Sequence, residues 1–257
     1  MRANTTSAIG IGAAAPAIGG LCWALCAWEA RRARGGERPY EHALPADAVI
    51  GSADQQPLRI TWLGDSLATG LGCDHVDDTP SHLVARMLER AVEVRMLAIP
   101  GSRAVHVLAE QLPRVQADTD LVVLCVGAND VASSTSRRQY ADELDRILAE
   151  LAPTPVVLLT LPDMAIADRM AEPLRSLAGA RARWFDAARA RVAERHGHVV
   201  TVDIASRPAG VTRREARTWL CADHFHPGAE GYRNWAERIA ETCHAILEPA
   251  SANAHAA

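Results

Sequence analysis

The chain has 257 residues, enough for one large domain or two small ones around a sizeable core. Hydrophobic residues make up 49% and charged residues 23%, a balance that excludes a disordered chain and a multi-span membrane protein. The formal net charge of −4 provides no global positive field, so nucleic acid is not an expected partner.

The first element in chain order is apolar. Residues 8 to 28 read AIGIGAAAPAIGGLCWALCAW, 21 residues without a charge, about the length that spans a bilayer as a helix. Trp23 and Trp28 suit an interfacial belt. A cleaved signal peptide is the competing reading, but only Arg2 precedes the apolar core and no cleavage pattern follows it. Arg31, Arg32, Arg34 and Arg38 come next, and the positive-inside rule holds that flank, with the catalytic body, in the cytoplasm. Export with anchoring is the alternative. The expected organisation is an anchor with its basic flank over 1–34, a linker over 35–57, a folded domain over 58–248 and a disordered tail over 249–257.

From Leu58 onward, apolar runs alternate with amphipathic stretches. Strands are expected at 58–63, 92–99, 121–127, 155–161 and 198–204. Helices are expected at 82–91, 105–115, 139–151, 184–197 and 229–247. Continuous apolar strands separated by helices predict an α/β fold with a five-stranded parallel sheet covered on both faces. In such sheets ligands bind beyond the carboxyl ends of the strands.

Three of those ends, and the turn before the last helix, carry small and polar residues. The first strand runs into Gly64-Asp65-Ser66-Leu67, which would expose a serine hydroxyl at a strand-to-helix turn. The second ends in Ile99-Pro100-Gly101-Ser102, and the third in Gly127-Ala128-Asn129-Asp130, whose amide is a neutral donor suited to a developing oxyanion. Asp223-His224-Phe225-His226 precedes the last helix, and a spacing of three lets one turn bring the carboxylate to the imidazole. Taken singly, the first three blocks read more readily as a turn or a cap, and the fourth is ambiguous.

Together, in this order, they resemble the SGNH (GDSL-type) serine hydrolase superfamily over roughly Leu58 to Leu247, most closely its single-domain, membrane-associated bacterial esterases. The resemblance implies a flavodoxin-like three-layer α/β/α sandwich without a cofactor or metal. It implies Ser66 as nucleophile, His226 as general base and Asp223 as the acid that orients it. The oxyanion hole would be the Ser66 and Gly101 amides with the Asn129 side chain. His224 would point elsewhere. The stretch MLAIPG departs from the family, which often has a polar residue just before the second-block glycine, so the hydrogen-bond network around Gly101 is not specified by the motif.

The function expected is cleavage of small or lipid-derived carboxylic esters through an acyl-enzyme. A thioesterase or an acyltransferase would use the same residues, and a membrane-tethered binding protein on an inactive hydrolase fold is the reading from another class. His75, His82 and His106 have no partner pattern and are assigned to surface or packing. Arg213, Arg214, Arg217, Trp219 and Leu220 could wall the pocket, although a solvated arginine face is the simpler reading. The run Asp74-His75-Val76-Asp77-Asp78 lacks a full oxygen-ligand pattern for a metal. Of the six cysteines (Cys22, Cys26, Cys73, Cys125, Cys221 and Cys243) none forms a CxxC pair, so structural zinc is not expected. Cys125 reads as a small buried hydrophobe, and a Cys73–Cys221 disulfide stays open.

Overall fold

A computed structural model of the chain describes residues 47–254 apart from 53 and 55, with side chains to 247. The apolar stretch at 8–28, its basic flank, Cys22 and Cys26 lie outside the described residues. Among the described residues no helix is long and apolar enough to cross a membrane.

Six strands form one mixed sheet: β1 (Ala48–Ile50), β2 (Leu58–Gly64), β3 (Val92–Met96), β4 (Leu121–Cys125), β5 (Val156–Leu159) and β6 (Val199–Val202). Their spatial order is β1-β3-β2-β4-β5-β6. The five strands from β2 onward are mutually parallel, as expected. The sixth corrects the expectation of a purely parallel five-stranded sheet. β1 runs antiparallel along β3, pairing Ile50 with Val92. It falls in the stretch read as linker, and with three residues it is too short to show a period of two.

The inner parallel strands form because their apolar runs are buried on both faces, as βαβ crossovers require, whereas β6 at the sheet edge exposes Val200 and Thr201. All five β4 residues are buried, and so are six of the seven in β2. The α-helices of the described residues are α1 (Ser66–Thr69), α2 (Pro80–Met87), α3 (Ala104–His106), α4 (Ala128–Val131), α5 (Arg137–Leu151), α6 (Leu174–Ala193), α7 (Arg213–Ala216) and α8 (Ala229–Ala254). α2 packs with α8 on one face of the sheet over Trp62, Leu83, Tyr232 and Ile239. α5 packs with α6 on the other over Leu63, Leu124, Tyr140 and Phe185. Each such apolar side chain contributes about 1.5–3 kcal/mol by leaving water.

Several boundaries differ from expectation, each for a local reason. β3 stops at Met96 because the amides of Leu97 and Ala98 both turn to the Trp62 carbonyl. α2 spans 80–87 rather than 82–91: Pro80 opens it, and Glu89 at φ 51° follows its end. The helix expected over 105–115 is a composite, in which α3 passes into a π-turn at Val107–Gln111 and a 3-10 turn at Leu112–Arg114. α8 continues through 249–254, the stretch assigned to a disordered tail. After β2 the chain places β3 on one side and β4 on the other, so the sheet's switch point lies at the carboxyl end of β2.

Candidate active site

The turn from β2 into α1 is built around Gly64. At φ 134° it occupies a backbone region that L side chains rarely adopt, and a Cβ there would run into the Cys125 carbonyl oxygen. The Asp65 amide donates to that same carbonyl at 3.1 Å, locking the turn against β4. Asp65 then caps α1, its Oδ1 accepting the Leu67 N–H at 3.0 Å. Ser66 is the first residue of α1, only 8% exposed.

The acid–base pair comes from the turn before α8. Ser66 Oγ lies 3.0 Å from His226 Nε2. His226 Nδ1 lies 2.6 Å from Asp223 Oδ2, a short bond of the charge-assisted kind. Asp223 Oδ1 accepts the Phe225 and His226 amides at 2.8 and 2.9 Å and the Cys221 thiol at 3.0 Å. Burial pushes the Asp223 carboxyl up, but the hydrogen bond and charge of His226, with the Cys221 thiol and backbone, hold it well below the ordinary carboxylate range. His224 turns away: its backbone takes φ 58°, and its Nδ1 lies 3.2 Å from Asp168 in an exposed position.

The remaining two blocks are hydrogen-bonded to the turn that carries the serine, through Ile99 to Gly64 and Asn129 to Asp65. Gly101 takes φ 83°, and its amide finds no protein acceptor among the described residues. Asn129, on α4, donates from Nδ2 to the Ser102 carbonyl at 3.1 Å and to Asp65 Oδ2 at 3.3 Å. Asp130 accepts the Ala104 amide at 3.0 Å, tying the third block to the start of α3. Burial raises Asp65 to about 7 and Asp130 to about 6, against the lowering effect of their backbone hydrogen bonds.

The other sequence candidates settle into structural roles. His82 is buried with its Nδ1 3.3 Å from Thr79 Oγ1, and His106 accepts the Arg103 amide at 3.1 Å. Arg213 lies 3.0 Å from Asp163, which Arg207 also reaches at 2.9 Å, and both arginines line a cavity of about 610 Å³ at the carboxyl ends of β5 and β6, apart from Ser66 and His226. Asp77 pairs with Arg86, so the acidic loop is partly neutralised. Among the described residues no group of three His, Cys, Asp or Glu is placed to hold a metal, and Cys73, Cys125, Cys221 and Cys243 are free thiols.

Two residues had no site role in the sequence reading. Cys221 stands two positions before Asp223, with nothing in the motif to mark it. Gln111 is fully buried, its Oε1 accepting the Gly64 amide at 2.8 Å. Its Nε2 donates to the Gly64 carbonyl at 2.8 Å and to Ser102 Oγ at 3.1 Å. The available signal was spacing: Ala104, Val107 and Gln111 fall three and four apart, placing an amide on the buried face of a helix.

A serine at the end of the central strand with a His–Asp pair closing over it is the arrangement of an α/β serine hydrolase, and the solved structures it resembles share that fold. Phospholipase A1 from Streptomyces albidoflavus superposes with a TM-score of 0.56 at 19% identity, covering 73% of this chain and 99% of that one. A catalytic mutant of Axe2, an acetylxylan esterase from Geobacillus stearothermophilus, gives 0.55 at 19% identity, covering 74% and 94%. The GDSL-like lipase/acylhydrolase family model matches residues 62–233. The chain belongs to that family. The GDSL-like esterase Rv1075c of Mycobacterium tuberculosis is 30% identical over 185 residues, 68% of this chain. The match spans 58% of that esterase's length.

Proposed function

We propose that the protein is a carboxylic-ester hydrolase that works through Ser66, His226 and Asp223 and a covalent acyl-enzyme. The observation that carries this reading is the continuous relay from Ser66 Oγ to His226 Nε2 at 3.0 Å and from His226 Nδ1 to Asp223 Oδ2 at 2.6 Å. Ser66 Oγ attacks the ester carbonyl carbon while its proton passes to His226 Nε2. The carbonyl oxygen becomes an oxyanion, held by the amides of Ser66 and Gly101 and by Asn129 Nδ2, which gives up its longer bond to Asp65 Oδ2 to donate to it. Collapse of the tetrahedral adduct breaks the bond to the alcohol oxygen, which takes the proton from His226 and leaves. Water then gives a proton to His226 and attacks the acyl carbon. The second adduct expels Ser66 Oγ, which recovers its proton, and the carboxylic acid departs. Asp223 keeps its charge throughout and fixes the imidazole tautomer with Nδ1–H toward itself.

The relatives named above comprise an esterase, a phospholipase and an acetylxylan esterase, so the substrate is assigned at the level of carboxylic esters. The test is fluorophosphonate labelling of the wild type against Ser66→Ala, with a panel of esters and thioesters of increasing acyl length. Labelling that depends on Ser66, with turnover of oxygen esters above thioesters, supports the reading. Labelling independent of Ser66 overturns it.

The placement is proposed from sequence alone. The uncharged stretch at 8–28 supports a single-pass tether, and the arginines at 31–38 support a cytoplasmic catalytic domain. Paired C-terminal reporters, one fluorescent only in the cytoplasm and one active only outside it, test this. Signal from the outer reporter alone overturns the cytoplasmic side, and release of a shortened soluble protein overturns the tether.

A further inference from the structure

The geometry points to Gln111 as a positioning residue that holds the oxyanion donors in register. This rests on the serine-hydrolase reading above and identifies what keeps its parts together. Gln111 has no exposed surface, and its amide is engaged on both sides. Oε1 accepts the Gly64 amide, while the two protons of Nε2 serve the Gly64 carbonyl and Ser102 Oγ. One side chain thereby grips the backbone two residues before the nucleophile and the residue after Gly101.

The link continues. The Ser102 carbonyl accepts Asn129 Nδ2, so the Gly64 turn, the Gly101 loop and Asn129 form one hydrogen-bonded unit. The Gly64 carbonyl also takes the Ile99 amide at 3.1 Å, drawing in the backbone just before Pro100-Gly101. Gln111 reaches this junction from the π-turn at Val107–Gln111, a wider turn of the kind that often marks functional sites. An apolar residue at this position of the buried helix face would serve packing alone. A primary amide with every polar atom bound to the site's backbone and flanking serine fixes geometry as well.

Oxyanion donors act on charge that develops only in the transition state, so their misplacement lowers kcat while leaving substrate affinity nearly unchanged. Gln111→Met keeps the volume and removes all three hydrogen bonds. Hydrolysis of p-nitrophenyl butyrate is measured on the full chain, at a temperature where thermal unfolding shows both proteins folded. Inhibition by an alkylboronic acid, whose tetrahedral adduct on the serine mimics the oxyanion, is measured alongside. We expect kcat to fall about 30- to 100-fold with KM within about twofold, and the boronate inhibition constant to rise by the same factor as kcat falls. Ser102→Ala, which removes only the Ser102 Oγ contact, is expected to lower kcat about three- to tenfold with KM unchanged. A Gln111→Met enzyme that is folded and within about threefold of wild-type kcat overturns the inference, as does a loss of kcat without matching loss of boronate affinity. If Gln111→Met does not fold, Ser102→Ala decides: unchanged kcat overturns the inference. If wild type and Ser66→Ala hydrolyse the ester equally, it is the serine-hydrolase reading that fails.

Discussion

Ser66 stands where a parallel strand with six of its seven residues buried turns into a helix, whereas His226 stands on a turn outside the sheet, held by bonds within the turn and to its flanks. On the serine side the constraint is steric and extends across the sheet: Gly64 against the Cys125 carbonyl, Asp65 donating to it and capping α1. On the histidine side it converges on one carboxylate. Asp223 collects two backbone amides, a thiol and the imidazole, and a bridge between Leu220 and Pro227 closes the turn. Ser66 is therefore placed by the sheet, and His226 by one carboxylate within a turn closed by backbone bonds. Substitutions should separate the two.

The largest effect is expected where the two regions meet. Ser66→Ala and His226→Ala should each lower ester hydrolysis by on the order of 10⁴-fold or more while remaining folded, with a small drop in melting temperature for His226→Ala, whose ring packs edge-on against Phe225. His224→Ala should keep activity within about threefold, since its imidazole faces Asp168 rather than the site. Steady-state kinetics with thermal melts on the three variants check this. An inactive His224→Ala beside an active His226→Ala would reverse the assignment of the base.

Asp223→Asn probes the histidine side. Its amide nitrogen would face His226 Nδ1 and force that nitrogen to accept, which places the proton on Nε2, toward Ser66. The expected loss is about 10³- to 10⁴-fold in kcat from the wrong tautomer. Gly64→Ala probes the serine side and should act on folding instead. The backbone strain and the clash with Cys125 are expected to cost about 3 kcal/mol or more, read from chemical denaturation.

The five parallel strands and the residues at their carboxyl ends were legible in the sequence because buried strands are continuous apolar runs and the turns after them need glycine, serine and asparagine. β1 was not, since three residues with Val49 exposed carry no pattern. The start of α6 was missed as well: Leu174–Arg183 is rich in Ala, Gly, Ser and Arg and has little apolar periodicity. Within the site, the residue types that do chemistry stood out, and the residues that hold them did not. Gln111 lies 45 positions from Ser66 in sequence, and only the fold reveals that its amide faces Gly64.

The two regions should also respond to pH with opposite sign. Asp65 has its folded pKa raised to about 7 by burial, against an ordinary value near ~3.9. Its contribution to stability is full below about pH 4 and is lost as pH rises toward 7, at a slope of up to roughly 1.4 kcal/mol per pH unit. Asp130, raised to about 6, acts in the same direction. Asp223 is depressed, so its contribution is full above about pH 4 and is lost on acidification. Denaturation curves between pH 4 and 7 should show Asp65→Asn with a shallower decline than wild type. An unchanged slope would remove Asp65 as its source.

The smallest effect concerns Cys221, whose thiol donates to Asp223 Oδ1 at 3.0 Å. Burial first, and then Asp223 itself, push this thiol up to about 12, so at neutral pH it is a protonated donor rather than a thiolate. It should therefore resist alkylation by iodoacetamide in the folded protein. Cys221→Ala removes one of the four hydrogen bonds that set the Asp223 carboxylate. The other three remain, so kcat should fall only about two- to fivefold, near the 0.5–1 kcal/mol range of a single weak hydrogen bond. Cys221→Ser restores a donor and should recover part of the loss, whereas a role in packing alone would leave serine no better than alanine. That comparison sharpens the contrast between the regions: if one weak donor to Asp223 is felt in kcat while melting temperature stays constant, the base is held by that carboxylate rather than by the fold around it.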